Sequence, residues 1–135
     1  MNLKELVNLK MEKFVINRNG NGEFRFDFTD KRGHVILSSG GYTRKFMCLK
    51  GIESVKRNSQ DSIKFYRKAS SNNEFYFNLK AFNGKVIGIS QMFKEPFLRE
   101  KGIESLKRKA PKAPIVDQSK QSSKMEFVSS LGIAI

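Results

Sequence analysis

Phenylalanine at every second position in Glu23-Phe24-Arg25-Phe26-Asp27-Phe28 puts three rings on one face of an extended segment and Arg25 and Asp27 on the other. This alternation predicts a half-buried strand. The pattern returns at Phe75, Phe77 and Leu79, with Tyr76 and Asn78 on the polar side. Burying a Phe is worth roughly 1.5–3 kcal/mol, so these inward positions are the expected centre of a core. Upstream, Phe14-Val15-Ile16-Asn17 followed by Asn19-Gly20-Asn21-Gly22 predicts a hairpin, and Phe65-Tyr66-Arg67-Lys68 with Ser70-Ser71-Asn72-Asn73 is a second with a poorer turn. Further turns at Asp30-Lys31-Arg32-Gly33 and Phe82-Asn83-Gly84 lead into third strands, Val35-Ile36-Leu37 and Val86-Ile87.

The period then becomes helical. Thr43 is placed to cap a helix with Phe46, Leu49, Ile52 and Val55 on its apolar face and Lys56-Arg57 at its C-terminal end. The second helix has Pro96 in its first turn, with Phe97, Ile103 and Leu106 behind it. Gly51 and Gly102 fall inside these helices, where Gly costs about 1 kcal/mol relative to Ala. Such a cost at equivalent places predicts a close approach of helix backbone to sheet.

Residues 13–57 and 64–108 align without a gap, 51 positions apart. Lys50-Gly51-Ile52-Glu53-Ser54-Val55-Lys56-Arg57 and Lys101-Gly102-Ile103-Glu104-Ser105-Leu106-Lys107-Arg108 differ only at Val55 and Leu106. A fixed period of that length marks a duplicated supersecondary unit that is too small to bury its own apolar face. The expected fold is therefore α+β: a tandem β-β-β-α repeat of antiparallel sheets, each backed by one helix and related by a pseudo-twofold axis. The expected divisions are an N-terminal extension (1–12), a first repeat (13–58), a second repeat (59–108) and a flexible basic C-terminal tail (109–135). Leu3, Leu6 and Val7 suggest a short amphipathic helix in the extension. The tail begins as a Lys-, Ser-, Gln- and Pro-rich linker, and Met125-Glu126-Phe127-Val128 is suited to dock as an edge strand or bind a partner.

The run Asn73-Glu74-Phe75-Tyr76-Phe77-Asn78-Leu79-Lys80-Ala81, then Asn83-Gly84-x-Val86-Ile87-Gly88-x-Ser90-Gln91, and finally Lys101-Gly102-Ile103-Glu104-Ser105, resembles the YegP-like family of small bacterial proteins. The resemblance covers residues 13–108, and the first copy departs from it at Asp27-Phe28-Thr29-Asp30. It implies a β-β-β-α unit, often in tandem, with unknown biochemical function and no established active site to carry over.

Charge adds a partner class. The chain of 135 residues has 26 Lys and Arg against 13 Asp and Glu, and residues 14–58 and 59–108 are each net +5. Charge built into folded units creates a positive field that attracts polyanions. Polar-face Arg25, Tyr76 and Asn78, flanked by Arg18, Arg67, Lys68 and Lys80, mix cations with an aromatic and an amide. Such a surface can hold phosphates and stack bases. The expected function is a non-enzymatic module for nucleic acid. The alternative is a protein-interaction or self-assembly module using edge strands or the tail, with a protein partner or a second copy.

Candidate chemistry is sparse. His34 has Lys85 at its repeat position and Cys48 has Arg99, so no duplicated His or Cys site exists, and one Cys cannot form a zinc site of usual spacing. A Cys48–His34 nucleophilic pair and carboxylate pairs from Glu23/Glu74 and Glu53/Glu104 are weaker readings than turn and helix-surface roles. Ser39/Ser90 and Ser54/Ser105 read as capping or buried hydrogen-bonding residues. No phosphate-loop or dinucleotide fingerprint occurs, so no enzyme activity, cofactor or metal is expected. No stretch approaches the roughly 20 apolar residues of a membrane span, and a membrane partner is not expected. A lone Cys and an N-terminus broken by charges predict a cytoplasmic location.

Overall fold

A computed structural model describes residues 11–120. The strands β1 (Lys13–Arg18), β2 (Phe24–Thr29) and β3 (Val35–Ser38) precede helix α1 (Lys45–Asn58). The same order follows in β4 (Phe65–Ala69), β5 (Phe75–Lys80), β6 (Val86–Ser90) and α2 (Pro96–Lys109), and β7 (Ile115–Asp117) closes the described chain. The expected N-terminal helix lies, but for its last two residues, outside the described residues, as does Met125–Val128.

Two separate sheets were the expectation, and the fold corrects it. The strands form one seven-stranded sheet in the order β4-β5-β6-β3-β2-β1-β7. The seam between the two units is short: β3 and β6 pair antiparallel through Leu37 with Ser90 and Ser38 with Ile89. A mixed α+β architecture results, with both helices on one face. The helices also do not stay with their own strands. Helix α1 packs on β2 and reaches β5 and β6, while Ile36 of β3 lies 3.6 Å from the Cβ position of Gly102 in α2. One apolar cluster therefore spans both units, from Phe14, Phe26 and Phe28 to Phe65, Phe77 and Leu106.

The hairpin turns follow their residue types. Gly22 closes the first with φ 85°, and Asn73 occupies the equivalent place with φ 58°. Asn is among the few non-glycine residues that tolerate this region, which explains how the second turn keeps the first one's shape. Each β-β-β unit also has a register shift, between Phe28 and Thr29 and between Leu79 and Lys80. At the ends of β3 and β6 a serine hydroxyl takes over the bonding to the neighbouring strand. Ser39 Oγ accepts from Phe26 N at 2.9 Å and donates to Gly40 O at 2.8 Å, and Ser90 does the same with Phe77 N and Gln91 O. The structural reading of these duplicated serines is correct.

The expected helix–sheet approach is present. A Cβ at Gly51 would collide with the Tyr42 hydroxyl and stand 3.1 Å from Phe26, and one at Gly102 would stand 2.9 Å from Phe93. The helix faces, however, differ from expectation. Cys48, Ile52 and Val55 are buried, whereas Phe46 is 52% exposed, Phe97 58% and Leu49 37%. Steps of three residues drift about 60° each around an α-helix, so Phe46 and Val55 lie about 180° apart. Arg44, not Thr43, is the N-cap residue, with no side-chain cap bond, because Tyr42 is still held extended against Phe24.

Residues 110–117 are not a linker. A 3-10 turn over Ala110–Lys112 leads into β7, which pairs parallel to β1: Phe14 N donates to Pro114 O and Gln118 N to Ile16 O, both at 2.9 Å. Lys45 at the start of α1 adds an ion pair to Asp117 at 2.7 Å.

At the seam the two copies diverge in volume. Leu37 and Gly88 are equivalent repeat positions, and a Cβ on Gly88 would sit 2.5 Å from Leu37 Cδ2. Overpacking a filled site costs roughly 1–3 kcal/mol. We predict that Gly88→Ala destabilises by that amount in urea denaturation, and that Leu37→Ala alone costs about 2–5 kcal/mol. Combining them should cost less than the sum, because the second methyl enters space vacated by the first change.

Candidate functional site

Among the described residues no helix packs on the sheet face opposite α1 and α2. Strand registers align a row across that face: Val116, Val15, Asp27, Ser38, Ile89, Asn78 and Tyr66. Its chemistry changes along the way. In the first unit Ser38 Oγ donates to Asp27 Oδ1 at 2.6 Å. The second unit has Asn78 at the Asp27 position and Ile89 at the Ser38 position, so the donor is gone. Asn78 Oδ1 is accordingly buried with no hydrogen-bond partner. A buried acceptor left unmade costs about 1–3 kcal/mol, a cost that a ligand N–H would remove.

Aromatic and cationic side chains surround it. Tyr66 is 40% exposed, and Lys80 Nζ sits 4.0 Å from its ring centroid. Lys68 pairs in register with Tyr76 on the same face. Across the seam, Arg25 joins Asn17, Asn19, Asp27, Val35 and Ser38 around a groove of 370 Å³. The side chains of Arg25, Lys68 and Tyr76 form no hydrogen bond or ion pair among the described residues.

Five of the seven residues proposed from the sequence, Arg25, Lys68, Tyr76, Asn78 and Lys80, thus share one face, although Arg25 lies beyond β3 and β6 from the rest. Arg18 and Arg67 do not. Arg18 pairs with Phe24 and Arg67 with Phe77, which places both on the helix side. The Arg18 guanidinium lies 5.1 Å from the Phe24 ring centroid and its Nε donates to Gly22 O at 3.1 Å. Arg67 grips Glu100 of α2 at 2.7–2.9 Å. Parity could have shown this, since Arg18 falls in step with Phe14 and Ile16, and Arg67 with Phe65. The same counting would have found Tyr66, which sequence reasoning missed.

Nucleophilic chemistry gains no geometry. Cys48 is buried under α1, while His34 stands in the exposed β2–β3 turn, 3.4 Å from Asp30. Burial, with Asp117 nearby, pushes the Cys48 thiol up to about 11. Burial also works against the Asp117 charge, but hydrogen bonds from Lys45 and Ser119 outweigh it and hold that carboxyl below its ordinary range. Among the described residues no group of three metal-ligating side chains occurs, and no helix is long and apolar enough to cross a membrane.

Fold and surface together define a small basic α+β protein in which two β-β-β-α units share one sheet. The family described as "Domain of unknown function (DUF1508)" matches it twice, over residues 19–64 and 70–117, and the chain belongs to that family. It is 47% identical over 104 residues to the UPF0339 protein in the ptx operon 5' region of Stutzerimonas stutzeri, covering 77% of this chain and 94% of that one. It is 39% identical over 106 residues to UPF0339 protein YegP of Escherichia coli K12, covering 78% and 96%. Two solution structures share the fold. That of yegP from E. coli, described as a protein of unknown function, gives a TM-score of 0.76 at 38% identity over 81% of this chain and 95% of that one. That of UPF0339 protein SO3888 from Shewanella oneidensis gives 0.77 at 34% identity over 81% and 92%.

The Arg67–Glu100 pair yields a signed pH prediction. Hydrogen bonding from Arg67 holds the Glu100 carboxyl below its ordinary range. A depressed folded-state value stabilises above the unfolded value, and that stability is lost as pH falls through the folded value. Both partners are well exposed, so screening limits the pair to less than about 1 kcal/mol. Arg67→Ala should therefore be slightly less stable than wild type at pH 7, with the gap closing in acid, as read by urea melts. Separately, Cys48 should react with a thiol reagent only at the rate at which α1 opens, and rapidly in denaturant.

Proposed function

We propose that the protein is a non-enzymatic binding module for single-stranded nucleic acid, acting in the cytoplasm through the sheet face opposite α1 and α2. One observation carries the reading: Tyr66, 40% exposed with the Lys80 ammonium over its ring, pairs in register with Asn78, whose Oδ1 has no partner. A base can take the ammonium's place on the Tyr66 ring while Lys80 turns to the adjoining phosphate. Asn78 then turns its side-chain amide outward to accept an N–H from the base edge. Tyr76 offers a second ring, and Lys68 and Arg25 offer further phosphate contacts. Arg18 and Arg67, engaged on the helix side, add to the long-range positive field instead. The two units are read as pseudo-twofold copies whose outer faces have diverged, so one face is stacking and the other is the Arg25 groove.

Fluorescence anisotropy in about 50 mM salt tests this with single- and double-stranded oligonucleotides of RNA and DNA. Single strands should bind, with affinity falling as salt rises. Loss of one stacking ring is worth about 1–3 kcal/mol, so Tyr66→Ser should weaken binding by about fivefold to a hundredfold. Asn78→Leu should weaken binding while leaving urea stability unchanged or higher, since it removes a buried polar atom without a partner. Absence of binding to every oligonucleotide at that salt ends the proposal.

A second reading rests on β4, an edge strand whose last four residues are exposed. Its free edge suits strand addition by a protein partner or a second copy. Arg67 and Lys68 on that edge oppose such pairing, in the way charges protect natural sheet edges. Light scattering decides: a concentration-dependent mass that Ala69→Pro abolishes favours assembly, and an unchanged monomer favours the first reading.

A further inference from the structure

We infer that a cleft at the C-terminal end of α2, remote from the open-face reading and independent of it, holds a phosphate-rich polyanion. The cleft has a volume of 750 Å³ and lies between the start of β1, the β2–β3 turn and the chain leaving α2. Lys31, Arg108, Lys109 and Lys112 line it. None of these four side chains makes a hydrogen bond or ion pair among the described residues. Among the described residues Glu12 is the one acid on its wall, and Met11 with Ala113 supplies an apolar patch. Pockets of about 300–1,000 Å³ are the usual size for small-molecule sites.

A solvated cluster at a helix end is the competing explanation, because the C-terminal dipole attracts cations with about half a unit charge. That effect accounts for part of the charge and leaves a surplus. The other repeat shows that the fold does not need it. Lys109, Lys112 and Lys31 correspond to Asn58, Asp61 and Phe82, and only Arg108 keeps its charge, as Arg57. There Asn58 Nδ2 donates to Ser54 O at 2.8 Å and Asp61 Oδ1 accepts from Ile63 N at 3.1 Å, closing the same corner with local hydrogen bonds. The second corner has cations in place of both devices, and no group among the described residues pairs with them.

The ligand chemistry follows from that set. Several cations around one open cleft suit an anion with charges spaced along a chain, and guanidinium and ammonium groups are strong phosphate donors. A smaller adjoining cleft of 290 Å³ shares Glu12, Arg108 and Lys109 and adds Lys101, Glu104 and Ser105, so the greater surplus of positive charge lies in the larger cleft. Linear polyphosphate is the common element. It can arrive as inorganic polyphosphate or as the tail of a nucleoside triphosphate with its base on Met11.

Calorimetric titration of the full chain in about 50 mM salt separates these sources. The probes are sodium tripolyphosphate, ATP, adenosine and a single-stranded oligonucleotide. We expect saturable one-to-one binding of tripolyphosphate and ATP and none of adenosine, with ATP the tighter of the two if the base is also held. Lys109→Ser/Lys112→Ser should weaken tripolyphosphate binding at least tenfold. Lys31→Ser, on a different element, should weaken it severalfold, so a folding defect at the end of α2 cannot imitate the result. Lys68→Ser/Lys80→Ser on the open face should leave it within twofold while weakening the oligonucleotide. The inference is overturned if tripolyphosphate and ATP give no saturable heat, if only the oligonucleotide binds, or if both double variants lose tripolyphosphate equally.

Discussion

A single layer of two 14-residue helices has to seal one face of a seven-stranded sheet, and it can do so only because the helix backbones come close at Gly51 and Gly102. The rings of Phe26 and Tyr42 fill the space that a side chain at Gly51 would need, and Phe93 and Phe77 fill it at Gly102. A methyl at either place would lift its helix off the sheet and open the apolar layer to water. The Phe-rich, Trp-free composition fits this demand, since flat rings slide under a helix axis without a polar atom to satisfy. With both helices committed to one side, the other side carries, among the described residues, polar and half-buried groups such as Arg25, Lys68 and Tyr76.

Local features of the fold were legible because they are written in short-range periodicity. Alternating Phe positions located the strands, Asn-Gly and Ser-Asn clusters located the turns, and recurrent helix glycines announced the close approach. What could not be read was which strands meet. Parity assigns a residue to a face but says nothing about β3 finding β6, a pairing of only two residue pairs across some fifty positions of chain. Strand β7 was hidden for a different reason: Ile115-Val116-Asp117 follows a Lys- and Pro-rich run, and its place depends on backbone bonds to β1 and on Lys45, none of which local composition reveals. The helix faces misled because a succession of i+3 apolar steps mimics a stripe while spiralling around the axis.

The open face was partly legible, and its errors have the same origin. Arg18 and Arg67 were assigned by proximity in sequence to polar-face residues, whereas the strand period sends them to the helix side. Asn78 was recognised as outward, but its lack of a partner emerges only when Asp27–Ser38 is compared with Asn78–Ile89. A single Ser-to-Ile difference between copies leaves a polar atom behind. Similarly, the cations beside α2 look like ordinary surface charge until their counterparts Asn58 and Asp61 are seen closing the same corner by themselves. Divergence between two otherwise equal units is thus a sharper guide to chemistry here than what they share.

Leu37 and Gly88 show what that divergence does at the seam between the units. They are one position of the repeat, yet only one side chain fits where they meet. Two first units joined through β3 would bring leucine against leucine, and two second units would leave a hole between glycines. At this position each half therefore fits the other better than it would fit a copy of itself. The link between the units holds together two halves whose seam residues are complementary in volume and not alike.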